Sequence, residues 1–128
     1  MILLDTPILI WLLDQQAKLS TAQSQAIQGA PRLAVSAISL WEIAKLVENS
    51  RLELKMPVLD WINAALSHPK LQVMALTPEI IVKSTQLPDT FHKDPADQLI
   101  VATAMVVGIP LLTKDLKILG YSHVTTIG

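Results

Sequence analysis

From Asp94 to Asp115 the chain reads D-P-A-D-Q-L-I-V-A-T-A-M-V-V-G-I-P-L-L-T-K-D: two carboxylates, an almost wholly apolar helical run, a Gly-x-Pro break, and a short apolar strand leading to a third carboxylate. The run reads as a scaffold, while the shorter helix Ile8 to Leu13, apolar on every side, is either central or covered by a partner. What the longer run carries at its two ends are acids. The other terminus repeats the second half of the pattern, with Ile2-Leu3-Leu4 running straight into Asp5. The stretch therefore predicts a scaffold that presents carboxylates at strand and helix ends.

Short continuous apolar runs that end in a charge are how buried parallel strands look when their carboxyl ends open onto a site. Ile2 to Leu4 has that form; Leu33 to Val35, Gln72 to Leu76 and Leu111 to Thr113 read as three further short apolar strands, and His123 to Ile127 offers a fifth strand at the edge. Between them lie helical signals. Thr6-Pro7 starts one over Ile8 to Leu13, with Thr6 as cap and Pro7 at the first helical position, where its missing N–H costs nothing. Ser20-Thr21 starts a second that runs to about Gln28. From Ser39, the residues Leu40, Ile43, Ala44 and Val47 repeat at i, i+3, i+4, i+7 and place Glu42 away from the apolar stripe. Val58, Trp61, Ile62, Ala65 and Leu66 mark another amphipathic helix, Thr77-Pro78-Glu79 begins a further one that ends near Leu87-Pro88-Asp89, and Gly108 terminates the long helix. Strands alternating with helices predict an α/β protein: a three-layer α/β/α sandwich with a mainly parallel central sheet of four to five strands.

The 128 residues fit a single domain, 1–128. Half of them are hydrophobic and the mean hydropathy is positive, which predicts more apolar surface than one copy buries and hence a partner. No apolar run reaches the roughly 18 residues of a membrane span, and the opening segment carries Asp5 with no positive charge before it, unlike a signal peptide or anchor. The chain has no cysteine, which excludes disulfides and thiolate metal sites and fits a reducing compartment, so cytoplasm is the expected location. Ten basic against eleven acidic residues give no global signature of nucleic-acid binding. No GxGxxG or Walker loop is present among four glycines, which argues against a dinucleotide or P-loop site.

In open parallel sheets, sites form outside the carboxyl ends of the strands. Asp5 and Asp115 follow two such ends, and Asp94 and Asp97 begin the helix that feeds the second. Each acid taken alone has a structural explanation. Asp94 before Pro95 looks like an N-cap with Asp97 in the partner position of a capping box, and Ser39-Leu40-Trp41-Glu42 has the S-x-x-E form that would account for Glu42. Convergence changes the reading. Carboxylates some 4 to 5 Å apart repel by roughly 3 to 4 kcal/mol at an effective dielectric near 20, more than the ~1 kcal/mol of a cap. Such a cluster needs protons or a cation, and oxygen ligands without cysteine or a histidine pair point to Mg²⁺ or Mn²⁺. An acidic metal pocket of this kind serves phosphodiester hydrolysis, with 5′-phosphate products if water is the nucleophile.

Four motifs together resemble a VapC-type toxin of the PIN-domain superfamily: Leu3-Leu4-Asp5-Thr6, the Ser36 to Lys45 run containing Ser39-Leu40-Trp41-Glu42-Ile43-Ala44, the His92 to Ala104 run containing Asp94-Pro95-Ala96-Asp97, and Pro110 to Asp115. They stand in the family's order and spacing across essentially the whole chain. The resemblance implies a metal-dependent ribonuclease that cuts single strands and is held inactive by a small VapB-like antitoxin, with a homodimer expected. It implies that Asp5, Glu42, Asp97 and Asp115 form the acidic quartet that binds Mg²⁺ or Mn²⁺ and activates water. Asp94 is then an extra acid beside the metal, and Thr6, Ser39 and Thr113 are small hydroxyl residues lining the site. Gln98 departs from the arginine common in the D-P-x-D subgroup. An alternative that keeps the fold is a catalytically silent module that binds RNA or antitoxin. A haloacid-dehalogenase-like phosphatase is discouraged, because Asp5-Thr6-Pro7 lacks the second aspartate such a nucleophile loop uses. Trp11, Trp41 and Trp61 read as packing or interface residues ahead of base-stacking platforms, His92-Lys93 as a solvated loop pair ahead of a phosphate contact, and Lys45, Lys114 and Lys117 as ordinary surface ahead of an RNA-facing rim.

Overall fold

A computed structural model describes residues 1–128. Five parallel strands, β1 (Ile2–Leu4), β2 (Leu33–Ser36), β3 (Leu71–Met74), β4 (Leu111–Leu112) and β5 (Thr126–Ile127), form one sheet in the order β3-β2-β1-β4-β5. The connections are helical: α1 (Thr6–Asp14), α2 (Thr21–Gly29), α3 (Ala37–Glu48), α4 (Val58–Leu66), α5 (Pro78–Ser84), α6 (Pro95–Val107) and α7 (Leu116–Leu119). The expected α/β/α sandwich is therefore present, with a sheet that is parallel throughout.

Strands β1, β2 and β4 are buried along their whole length, which is why their sequences are continuous apolar runs rather than alternating ones. Alternation instead decides which layer each residue serves. Ile2 and Leu4 pack with Ile8 and Leu9 of α1, Ile27 of α2 and Trp61 of α4 on one face. Leu3 packs with Ile100, Val101 and Ala104 of α6 and Ile118 of α7 on the other. Leu3 and Leu4 are both fully buried, so truncating either to alanine would cost about 2–5 kcal/mol.

The apolar run of the opening stretch is α6, capped by Asp94, started by Pro95 and ended by Gly108 at φ 75°, a left-handed position that glycine occupies without Cβ strain. The sheet order places the site. From β1 the chain moves to β2 and β3 on one side, then returns to lay β4 and β5 on the other, so the direction reverses between β1 and β4. A crevice opens outside the carboxyl ends of strands at such a reversal. The Asp5 N–H donates to the Leu112 carbonyl at 2.9 Å and locks the first residue beyond β1 against the end of β4.

Three local expectations are corrected. Helix α1 is capped by Asp5, not Thr6, because the strand passes into the helix with no intervening loop. Helix α3 begins two residues before Ser39, with Ser36 as its cap, so Ser39 and Glu42 form no capping box and Ser39 is buried inside the helix. Asp115 does not simply end a strand: β4 stops at Leu112, and Asp115 caps the short helix α7, which the sequence reading leaves out.

Candidate functional site

Asp5 is 4% exposed, an unusual position for a carboxylate, and its two oxygens are spoken for. Oδ1 accepts from the Thr6 N–H at 2.9 Å and Oδ2 accepts from the Thr113 hydroxyl at 2.7 Å. Burial raises its pKa; the Thr113 and Thr6 hydrogen bonds pull the other way, and the charges of Asp115 and Asp94 raise it further. Thr113 is fully buried and also accepts from the Asp115 N–H at 3.0 Å, so one hydroxyl fixes both Asp5 and the turn that carries Asp115.

Thr6 and Ser39 work as a pair on the adjoining wall. The Thr6 hydroxyl donates to Glu42 Oε1 at 2.5 Å and lies 2.9 Å from Ser39 Oγ. Glu42 is thereby drawn off the surface of α3 toward α1. Burial raises its pKa, the Thr6 hydrogen bond lowers it, and Asp5 and Asp94 raise it.

Asp97 has no such hydroxyl partner. Its pKa is pushed up to about 7, first by desolvation and then by the charges of Asp94, Asp5, Glu42 and Asp115. The expected capping box at the start of α6 is incomplete. Asp94 Oδ1 accepts from the N–H groups of Ala96 (3.0 Å) and Asp97 (3.4 Å), but the Asp97 carboxylate turns aside to within 3.1 Å of His92 Nε2. His92 is thus not a solvated loop residue: its side chain is mostly buried and its ring packs on Phe91 at 4.5 Å between centroids. Gln98, in place of an arginine, donates from Nε2 to the His92 carbonyl at 3.1 Å and holds that loop in place.

Asp115 Oδ1 accepts from the Lys117 and Ile118 N–H groups at 2.8 and 3.2 Å, a cap that leaves its second oxygen without a partner. Asp5, Glu42, Asp97 and Asp115, drawn from four separate segments, line one groove of about 360 Å³ together with Thr6, Trp11, Lys18 and Lys114. Asp94 stands exposed at its edge and acts on the other acids through its charge. Ser39 and Thr113 sit one layer behind, bonded to the groove residues rather than facing it. The sequence reading missed the approach of His92 to Asp97; the only signal for it is the spacing of five residues across a proline-started helix, too weak to use alone.

No three side chains form a closed ligand cage in this conformation. The donor set is nevertheless all oxygen, and burial together with the neighbouring carboxylates raises the pKa of Asp5, Glu42 and Asp97, which fits a hard divalent cation. Lys45 is occupied elsewhere, paired with Glu48 at 2.8 Å.

No helix is long and apolar enough to cross a membrane. The PIN domain family matches residues 2–123. Ribonuclease VapC22 of Mycobacterium tuberculosis is 40% identical over 122 residues, covering 95% of this chain and 92% of that protein. Two solved structures share the fold. VapBC2 from Rickettsia felis, bound to a DNA fragment from its promoter, superposes with a TM-score of 0.73 at 17% identity, covering 98% of this chain and 97% of that one. A toxin–antitoxin complex from Klebsiella pneumoniae superposes with a TM-score of 0.70 at 21% identity, covering 100% and 97%. With sheet order, acidic groove and relatives in agreement, the chain belongs to the PIN domain family, in its VapC branch.

Proposed function

We propose that this protein is the ribonuclease toxin of a toxin–antitoxin pair, a divalent-metal-dependent enzyme that hydrolyses RNA phosphodiester bonds, works in the cytoplasm as a homodimer and is restrained by a VapB-like antitoxin. The observation that carries the reading is the meeting of Asp5, Glu42, Asp97 and Asp115 in one groove at the sheet's reversal point. The 40% identical relative named a ribonuclease supports it.

Asp5, Asp97 and Asp115 would hold Mg²⁺ or Mn²⁺, with Asp94 contributing charge at the rim. Bound there, the ion would neutralise the phosphodiester and make a water molecule more acidic. The protein's own groups supply the rest. Glu42, desolvated and oriented by Thr6, would accept a proton from the attacking water. Asp5 is held rigid by Thr113 and the Thr6 N–H, so it presents its charge without reorganising. Asp115 keeps one oxygen free because its cap uses the other.

The test is cleavage of single-stranded RNA by purified wild type and Asp97→Asn in Mg²⁺ or Mn²⁺ and in EDTA. Cleavage that needs the ion and is lost in a folded Asp97→Asn protein is the expected result; full activity in that variant would remove the assignment.

A further inference from the structure

The three tryptophans occupy three different settings. Trp61 is buried, with its indole N–H donating to Asp14 at 3.1 Å, and Trp41 stands 55% exposed on α3. Trp11, on α1, is half-buried: it packs against the larger core cluster and also lines the groove that holds Asp5 and Asp97. Two cations flank that ring, Lys114 Nζ at 4.7 Å and Lys18 Nζ at 6.0 Å from its centroid. Neither lysine is in an ion pair, although the groove is rich in carboxylates. Lys114 directly precedes Asp115, so a single turn carries a site acid and a cation side by side.

An aromatic surface with unpaired cations at its edge, next to phosphodiester chemistry, is the combination by which proteins bind single-stranded nucleic acid without reading base edges. A lysine resting on a ring is weakly held. A phosphate offers the same ammonium a stronger, charge-assisted partner and would draw it off the ring. One nucleotide brings both things this wall lacks, an anion for the lysines and a flat π surface for the indole. A peptide segment brings them together only by chance of sequence.

We propose that Trp11 is the stacking platform for one nucleobase beside the scissile phosphodiester, with Lys114 and Lys18 gripping the flanking phosphates. This rests on the ribonuclease reading and adds to it the wall along which RNA lies and a residue that sets which nucleotide positions matter.

The experiment measures binding of a fluorescein-labelled single-stranded RNA of mixed sequence to the full chain in Ca²⁺, with cleavage in Mn²⁺ as a separate arm. Trp11→Phe keeps a ring, Trp11→Leu keeps apolar bulk only, and a set of RNAs with one abasic ribose at each position removes bases without touching the protein. Trp11→Leu should weaken binding about 5- to 100-fold, the contribution of one stacked base, while Trp11→Phe stays within a few-fold of wild type. One abasic position should cost wild type a similar factor and cost Trp11→Leu nothing more. Wild-type binding indifferent to base removal at every position would overturn the platform, even if Trp11→Leu failed to fold. So would a Trp11→Leu protein that binds RNA normally and is altered only in its capture of the antitoxin. Absence of cleavage by wild type in Mn²⁺, with the binding pattern intact, would leave the platform standing and remove the nuclease reading instead.

Discussion

The two walls of the acidic groove are held by opposite physics. On one, Asp5 and Glu42 are wired by hydroxyls: Thr113 and the Thr6 backbone hold the first, the Thr6 side chain holds the second, and Ser39 backs Thr6. On the other, Asp94 caps α6 and Asp97 lies in its first turn, where the helix dipole favours negative charge; no hydrogen bond reaches the Asp97 carboxylate, and the His92 Nε2 that lies 3.1 Å away has no hydrogen-bond partner either. On the wired wall hydrogen bonds offset part of the cost of burial, and both carboxylates still sit above their ordinary pKa. On the α6 wall desolvation, and after it the charges of the neighbouring carboxylates, push the Asp97 pKa up to about 7 with no hydrogen bond to pull it back. One side of the groove is thus held by hydrogen bonds and the other is not.

The largest expected effect comes from breaking the α6 wall. Asp97→Asn should lower metal-dependent RNA cleavage by about a thousandfold or more, since a metal's charge stabilisation amounts to several kcal/mol. The same variant should unfold no more easily than wild type in EDTA, because it removes a repelling charge. Cleavage kinetics and urea denaturation on the same samples check both halves.

Breaking the wired wall should show the reverse balance. Thr113→Val leaves the buried Asp5 Oδ2 without its donor, at a cost of about 1–3 kcal/mol by urea denaturation, an effect that Asp97→Asn lacks.

The contrast also predicts a pH dependence. Asp97 ordinarily titrates at 3.8 and in the folded chain at about 7. Between those values the folded protein keeps a proton that the unfolded chain has released, so the stabilisation is full below pH 4. Without metal it is lost as pH rises to 7, then flat. The loss should be on the order of 2 kcal/mol, about half the unscreened linkage value because the carboxylate retains solvent contact. Denaturation midpoints from pH 5 to 8 in EDTA test it, and saturating Mn²⁺ should remove the decline.

The smallest effect sharpens the comparison. Asp94→Asn keeps an equally good cap for α6 and deletes one charge. The Asp97 titration followed by carboxyl NMR should move down but stay well above the usual aspartate value, because desolvation is the larger cause.

Much of this was readable beforehand where a local rule acted alone. The strands β1, β2 and β4 follow from unbroken apolar runs, α6 from the Asp94-Pro95 start and the Gly108 stop, and Asp94 as a cap from the same dipeptide. Reading failed where strand passed into helix without a loop. Asp5 and Ser36 each serve as the last residue before a helix, so caps assigned to Thr6 and Ser39 were displaced upstream. It also failed where a partner lay far along the chain, as with Thr113 on Asp5 and Thr6 on Glu42.

By itself, the sequence determined the layered α/β architecture, the burial of the central strands and the presence of carboxylates at the element ends, because hydrophobic period and capping chemistry are properties of neighbouring residues. Only the tertiary structure decided that β4 lies beside β1 with the chain's direction reversed there. That neighbour relation brings residues 5 and 113 into hydrogen-bond contact and sets Asp97, already beside Asp94 in sequence, near three acids from other segments, Asp5, Glu42 and Asp115. Desolvation and mutual repulsion depend on distance through space, and distance through space is what a linear chain does not record.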